Sequence, residues 1–182
     1  MCKHLIFDQN DLLNTIRQKK VQSPCYMYDK KLLNISLQQA QDALSRHFKK
    51  GHIHYAVKAN HNADILNVVK QYSMGVDCVS GGEIQRVLDE GFDASDIVFA
   101  GVGKADWEIK LALSQNIFAF NCESLEEISV ISAFAKEMGK KARICLRVNP
   151  NIEAKTHRYI STGRFNDKFG MSFPSILKWL EG

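Results

Sequence analysis

The run "HYAVKAN", residues 54 to 60, carries Lys58 at the end of an apolar stretch. Strand alternation places His52, His54, Ala56 and Lys58 on one face and Ile53, Tyr55 and Val57 on the other. Lys58 then falls at the carboxyl end of a strand, the edge where parallel α/β folds gather their catalytic groups. A lysine partly withdrawn from water at that edge offers a free amine that can attack a carbonyl, as a Schiff-base enzyme requires. The competing reading makes Lys58 a structural ion-pair partner of Asp77 in "GVDCVS". The two are compatible, because a carboxylate could hold the amine until a cofactor arrives.

Arg147 lies near the carboxyl end of "ARICLRVN", where a guanidinium without an anionic or hydrogen-bonding partner is costly. Its partner is either an acid such as Asp77 or a cofactor oxygen. The polar segment 149 to 171 exceeds an ordinary strand-to-helix connection and offers Thr156, His157, Ser161, Thr162 and Gly163. Such a length suits a lid or substrate-binding loop, or else a solvated surface excursion. His52 and His54 could begin a metal site, but "ARICLRVN" adds no histidine or carboxylate, so they read as core or barrel-filling side chains and no metal is expected. "AGVGKAD" resembles a phosphate loop without Walker spacing and reads instead as a strand-to-helix turn capped by Asp106. In "VSGGE" the glycines admit close backbone approach, yet Glu83 opposes an anion and helix capping is the simpler role.

Composition narrows the partners. A 45% apolar and 24% charged chain is that of an ordinary globular protein, and a net charge of +4 without a basic stripe argues against nucleic acid. The start "MCKHLIFDQN" has no signal-peptide core and no run approaches membrane-spanning length, which reads as cytoplasmic. Cys2, Cys25, Cys78, Cys122 and Cys145 form no Cys-x-x-Cys pair, and four of them lie in apolar runs, so reduced core thiols are expected.

From residue 52 short apolar runs alternate with helical periods. Strands are expected at 52 to 59, 75 to 80, 96 to 101, 116 to 122 and 142 to 149, and helices near 63 to 72, 82 to 90, 106 to 114, 124 to 138 and 174 to 181. Ser80 with Glu83 and Ser124 with Glu127 have capping-box spacing, and Gly91 and Gly139 fit as C-terminal caps. Strand and helix alternating in this way means parallel strands and helical crossovers, an α/β fold. Either a complete doubly wound sheet or five of the eight units of a barrel fits, the latter needing ~65–75 further residues. Residues 1–50 stand outside the repeat, with "PCYMYD" expected as a strand and "KKLLNISLQQAQDALSRHFKK" as a helix; residues 51–182 carry the repeating units.

In order, "HYAVKAN", "GVDCVSGGEIQRVLDEGF", "IVFAGVGKADWEI", "FNCESLEEI", "RICLRVNPNIEAKTHRYISTG" and "KFG" resemble the diaminopimelate decarboxylase family of alanine-racemase-like, fold type III pyridoxal-phosphate enzymes, from about residue 22 to 173. "THRYISTG" followed by "KFG" separates this branch from ornithine and arginine decarboxylases. The resemblance implies a (β/α)8 TIM-type barrel and pyridoxal 5'-phosphate carried on Lys58. It also implies Asp77 and Arg147 near the pyridoxal ring, and the loop holding His157, Ser161 and Thr162 beside the active-site mouth. The implied reaction decarboxylates meso-2,6-diaminopimelate to L-lysine, in enzymes that are usually homodimers. The family's later elements, a histidine strand, a glycine-rich phosphate site, a Glu-Pro-Gly-Arg loop and a β-domain that would pair with residues 1–50, are not found, so an N-terminal portion is expected. The alternatives are a related decarboxylase or racemase, or a catalytically silent five-stranded module that keeps the lysine as an ion-pair partner.

Overall fold

Runs rich in Val, Ile and Phe extend, and the amphipathic stretches between them coil. The computed structural model describes residues 9–22, 24–150 and 169–181. After helices α1 (Gln9–Gln18) and α2 (Lys30–His47) come β1 (His54–Ala56), α3 (Ala63–Gln71), β2 (Gly75–Cys78), α4 (Gly81–Asp89) and β3 (Ile97–Phe99). The chain continues through α5 (Asp106–Gln115), β4 (Ala119–Cys122), α6 (Leu125–Glu137) and β5 (Ile144–Leu146). Two short strands, β6 (Val148–Asn149) and β7 (Met171–Ser172), precede α7 (Phe173–Glu181).

The five main strands are parallel and lie in chain order, β1-β2-β3-β4-β5. This order separates the two architectures open from sequence. A doubly wound sheet reverses direction at a switch point and covers both faces with helices, whereas right-handed crossovers that always step the same way put every helix on one side. The fold is therefore the α/β arc of a TIM-type barrel. Alternation follows suit: Val76, Cys78, Ile97, Phe99, Phe120 and Cys122 are buried with Leu66, Ile84, Ile109 and Ile131 of the helices. Asp77, Val98 and Asn121, which point the other way, are only half-buried. Each fully buried aliphatic or aromatic side chain contributes about 1.5–3 kcal/mol, so the helix-side layer is what fixes register.

The helix starts share one device. Ser80 and Ser124 accept the N–H of Glu83 and Glu127, as their spacing predicts. The glutamates, however, reach one residue beyond the cap, to the N–H of Val79 and of Glu123. Before α5 the expected cap, Asp106, is instead the first helical residue. Ala105 is the cap, and Glu108 accepts its N–H at 2.8 Å while also taking the Gly81 N–H at 2.6 Å. A carboxylate at the third helical position substitutes for a side-chain cap that Ala105 lacks. Gly91 and Gly139 adopt φ of +78° and +63°, as C-terminal caps should.

The N-terminal portion departs from expectation. "PCYMYD" forms no strand: no strand precedes His54 among the described residues, and Tyr26 is 93% exposed. An extended segment without a partner strand has no ladder to join. Helix α1 was not foreseen, and "HLIF" lies outside the described residues.

The thiols divide. Cys78 and Cys122 are buried, whereas Cys25 and Cys145 are exposed, which corrects the expectation of core thiols throughout the apolar runs. Burial pushes the Cys122 thiol up to about 12 and raises that of Cys78 still further. In the native protein at pH 8, iodoacetamide should therefore alkylate Cys25 and Cys145 well before Cys78 and Cys122, read by peptide mass mapping. Equal labelling of all four would contradict this packing.

Candidate active site

β1 stops at Ala56, two residues short of Lys58, which the alternation had placed on the strand, and Val57–Ala59 closes a 3-10 turn. Lys58 rides on that turn at the carboxyl rim of the sheet. Its neighbour Val57 is fully buried and anchors the turn, while Lys58 itself is exposed rather than partly desolvated. Among the described residues Lys58 forms no ion pair, so the structural pairing with Asp77 is not made.

Lys58 nonetheless shares a cavity with Asp77. The cavity, about 370 Å³, is lined by Lys58, Asp77, Asn121, Glu123, Cys145 and Arg147, with Val79, Ala100 and Leu146 completing its wall. Its floor is the sheet face opposite the helices. Among the described residues Asp77 Oδ1 is buried there without a hydrogen-bond partner. Burial raises the Asp77 carboxyl above its ordinary range, and the charges of Lys58, His54 and Arg147 only partly offset this. A buried, unsatisfied carboxylate oxygen beside a cation is costly in isolation and marks a place where a ligand group belongs.

Arg147 does not pair with Asp77 either. It sits between β5 and β6, and its Nη1 donates to Glu123 Oε1 at 2.7 Å while the guanidinium lies 4.8 Å from the Phe169 ring centre. The second oxygen of Glu123 accepts the Gly170 N–H at 3.0 Å. Glu123 thus joins the two described ends of the 149 to 171 segment, and β6 pairs with β7 alongside it. Gly170 is required here: its φ is +76°, and a Cβ would come within 2.8 Å of the Arg147 carbonyl oxygen.

Lys104 shows what a structural lysine looks like at the same rim. Its side chain is 0% exposed and its ammonium donates to the carbonyls of Gly101 and Asn121 and to Glu127 Oε1. Three acceptors exhaust its donors. Removing Glu127 would leave a buried charge uncompensated, a change costing about 3–5 kcal/mol. The turn that resembled a phosphate loop is therefore a clasp between strand ends and α6.

His54 is half-buried, with its ring 6.0 Å from that of Phe118, and a Cβ on Gly75 would collide with it at 2.6 Å. Burial, and then His52, depress its pKa. His52 is exposed, with Nε2 3.7 Å from Asp96. Among the described residues no group of three or more side chains could hold a metal ion. His157, Ser161 and Thr162, like Thr156 and Gly163, lie outside the described residues. The structure brings Lys58, Asp77 and Arg147 to one cavity, and adds Glu123, Asn121 and Cys145, which the sequence reading did not single out for the site. Glu123 follows β4 as Val79 follows β2, at the same strand-end position.

An amine on the carboxyl rim of a parallel barrel arc, above an orphaned carboxylate oxygen, could support Schiff-base chemistry. The chain belongs to the pyridoxal-dependent decarboxylases, whose pyridoxal binding domain matches residues 34–181. It is 46% identical over 158 residues, 87% of its length, to diaminopimelate decarboxylase of Bacteroides thetaiotaomicron. Among solved structures it resembles diaminopimelate decarboxylase from Helicobacter pylori complexed with L-lysine, with a TM-score of 0.79 and 43% identity over 94% of this chain and 42% of that one. The corresponding M. jannaschi enzyme gives a TM-score of 0.80 at 33% identity, over 91% of this chain and 39% of that one. The chain spans about 41% of the length of the curated relatives it matches. Cavity, free amine and orphaned oxygen all fit the pyridoxal phosphate that this family uses.

The raised Asp77 carboxyl has a consequence for stability. Since the folded protein holds this proton to higher pH than the unfolded chain, whose value is near 3.8, the ionised side chain weighs on the fold as pH rises through and above its folded value. Asp77→Asn should therefore melt at least as high as the parent at pH 7, with the difference vanishing at pH 3. A variant that melts lower at pH 7 and equally at pH 3 would show that the carboxylate stabilises the fold.

Proposed function

We propose that this chain forms the cofactor-carrying portion of a pyridoxal-phosphate decarboxylase that converts meso-2,6-diaminopimelate to L-lysine. The observation that carries this reading is the unpaired Lys58 amine sharing one cavity with the unsatisfied Asp77 oxygen. Identity of 41–50% to relatives named diaminopimelate decarboxylase supports this choice of substrate. The L-lysine held by the H. pylori structure is the product such a reaction would release.

Bound pyridoxal phosphate supplies a conjugated electron sink for the pair left when carbon dioxide departs. Lys58 would supply the amine that holds the coenzyme aldehyde. When not so engaged, its Nζ could hold or deliver a proton at the cavity mouth. Asp77 presents a carboxyl to whatever cationic or hydrogen-bonding group enters, and Arg147, neutralised by Glu123, closes the opposite wall. His157, Ser161 and Thr162 belong in this proposal to the loop that meets substrate.

The same reading divides the chain near residue 50, with residues 1–50 packing on a β-domain and residues 51–182 forming part of the barrel. It makes the working protein a cytoplasmic homodimer. No helix among the described residues is long and apolar enough to cross a membrane.

Incubation with pyridoxal phosphate followed by borohydride should place a pyridoxyl group on the peptide containing Lys58, and Lys58→Ala should abolish the label. In the full-length gene product the same substitution should cut lysine formation by at least about 10²-fold. A label on another lysine, or undiminished turnover in Lys58→Ala, would overturn the proposal.

A further inference from the structure

The cavity holds two cations and two acids, and their pairing is lopsided. Glu123 is fully engaged, giving one oxygen to Arg147 and the other to the Gly170 N–H, and its side chain is 9% exposed. Asp77, facing the same space, keeps one buried oxygen with no partner. Arg147 is the adjustable member, being 41% exposed on a long flexible stem. Electrostatics alone would favour its swinging toward Asp77, since relieving an unsatisfied buried carboxylate is favourable.

We infer that Glu123 is a positioning residue whose carboxylate holds Arg147 against the far wall of the cavity and so prevents that guanidinium from capturing Asp77. The inference rests on the functional reading above, in that the oxygen kept open on Asp77 is then available to the bound coenzyme. Glu123 is well built for the task, because its own position is fixed from behind. Its backbone N–H is held by Glu127, and Glu127 is clasped by the buried Lys104. A rigid acid thus restrains a mobile base.

Among the described residues, the groups that face Asp77 are few. β1 and its turn contribute His54 and Lys58, the residue after β4 contributes Glu123, and β5 with the residue after it contributes Cys145 and Arg147. β3 contributes Val98, its register partner, and the residue after β3 contributes Ala100. A contact between Arg147 and Asp77 would therefore dominate the Asp77 titration.

The test is a double-mutant cycle on the full 182-residue chain without coenzyme, reading the Asp77 side-chain carboxyl by ¹³C NMR against pH, with Asp77→Asn assigning the signal. Glu123→Gln should strengthen Asp77 as an acid by about tenfold or more, because the released Arg147 pairs with it. In an Arg147→Gln background the same Glu123→Gln change should move the Asp77 titration less than about twofold. Equal shifts in both backgrounds would mean that Glu123 acts only through its own charge, and no shift in either would mean that Arg147 stays where it is. Both results overturn the inference. Should Glu123→Gln fail to fold, Glu123→Asp, which keeps the charge but withdraws it by one methylene, carries the same expectation in the same cycle. No pyridoxal chemistry enters this titration, so failed coenzyme trapping on Lys58 would sink the functional reading and leave the positioning role standing.

Discussion

Handedness is the constraint on which the site depends. Crossovers between parallel strands favour the right hand, and here each steps in the same direction across the sheet. The helices therefore accumulate on one face, where Phe99, Phe120 and the buried aliphatic residues supply the apolar layer that sets register. The other face is left to half-buried residues, and a carboxylate such as Asp77 can be placed there without disrupting the core. A one-residue slip of β2 would move Asp77 into the helix layer and Cys78 into the cavity. The chemistry is thus tied to the packing on the far side of the sheet.

The rim is held by a second, repeated interaction. Glutamates at the third position of α4, α5 and α6 each fold back on the backbone just before the helix, fixing the ends of β2 and β4 and the turn before α5. Lys104 joins two of these turns from within. That bracing lets two lysines at one rim have opposite fates. Lys104 is consumed by three acceptors, while Lys58, on a 3-10 turn past the end of β1, is left with none among the described residues.

Much of this was legible in the letters because it is local. Period-2 runs, helical periods, serine caps and glycine terminators gave the order of elements from residue 52 onward, and the run ending in Lys58 placed that lysine at the carboxyl end of the first strand. Sequence order of the strands was not legible from residues alone, since both candidate architectures share the same βα repeat; the resemblance to a known family chose between them. Partner choice was also hidden. Arg147 could have met any nearby acid, and only the placement of Glu123 at a strand end, 24 residues away in sequence, decides it. Ala105 could not be seen as a cap because its function is carried by Glu108, and the exposure of Cys145 follows from its position on the cavity side of β5. "PCYMYD" has strand-like residues but no ladder to join.

In the proposed reading the Lys58 amine and the open Asp77 oxygen address one ligand. The most direct measurement is a crystal structure of the chain grown with pyridoxal phosphate. Continuous density from Lys58 Nζ into the cavity, with Asp77 in contact with the ring and Arg147 still paired to Glu123, is the expected result. Density joined to Lys104 or to a surface lysine, or a Lys58 side chain turned away from a cavity that stays closed to the ring, would contradict it.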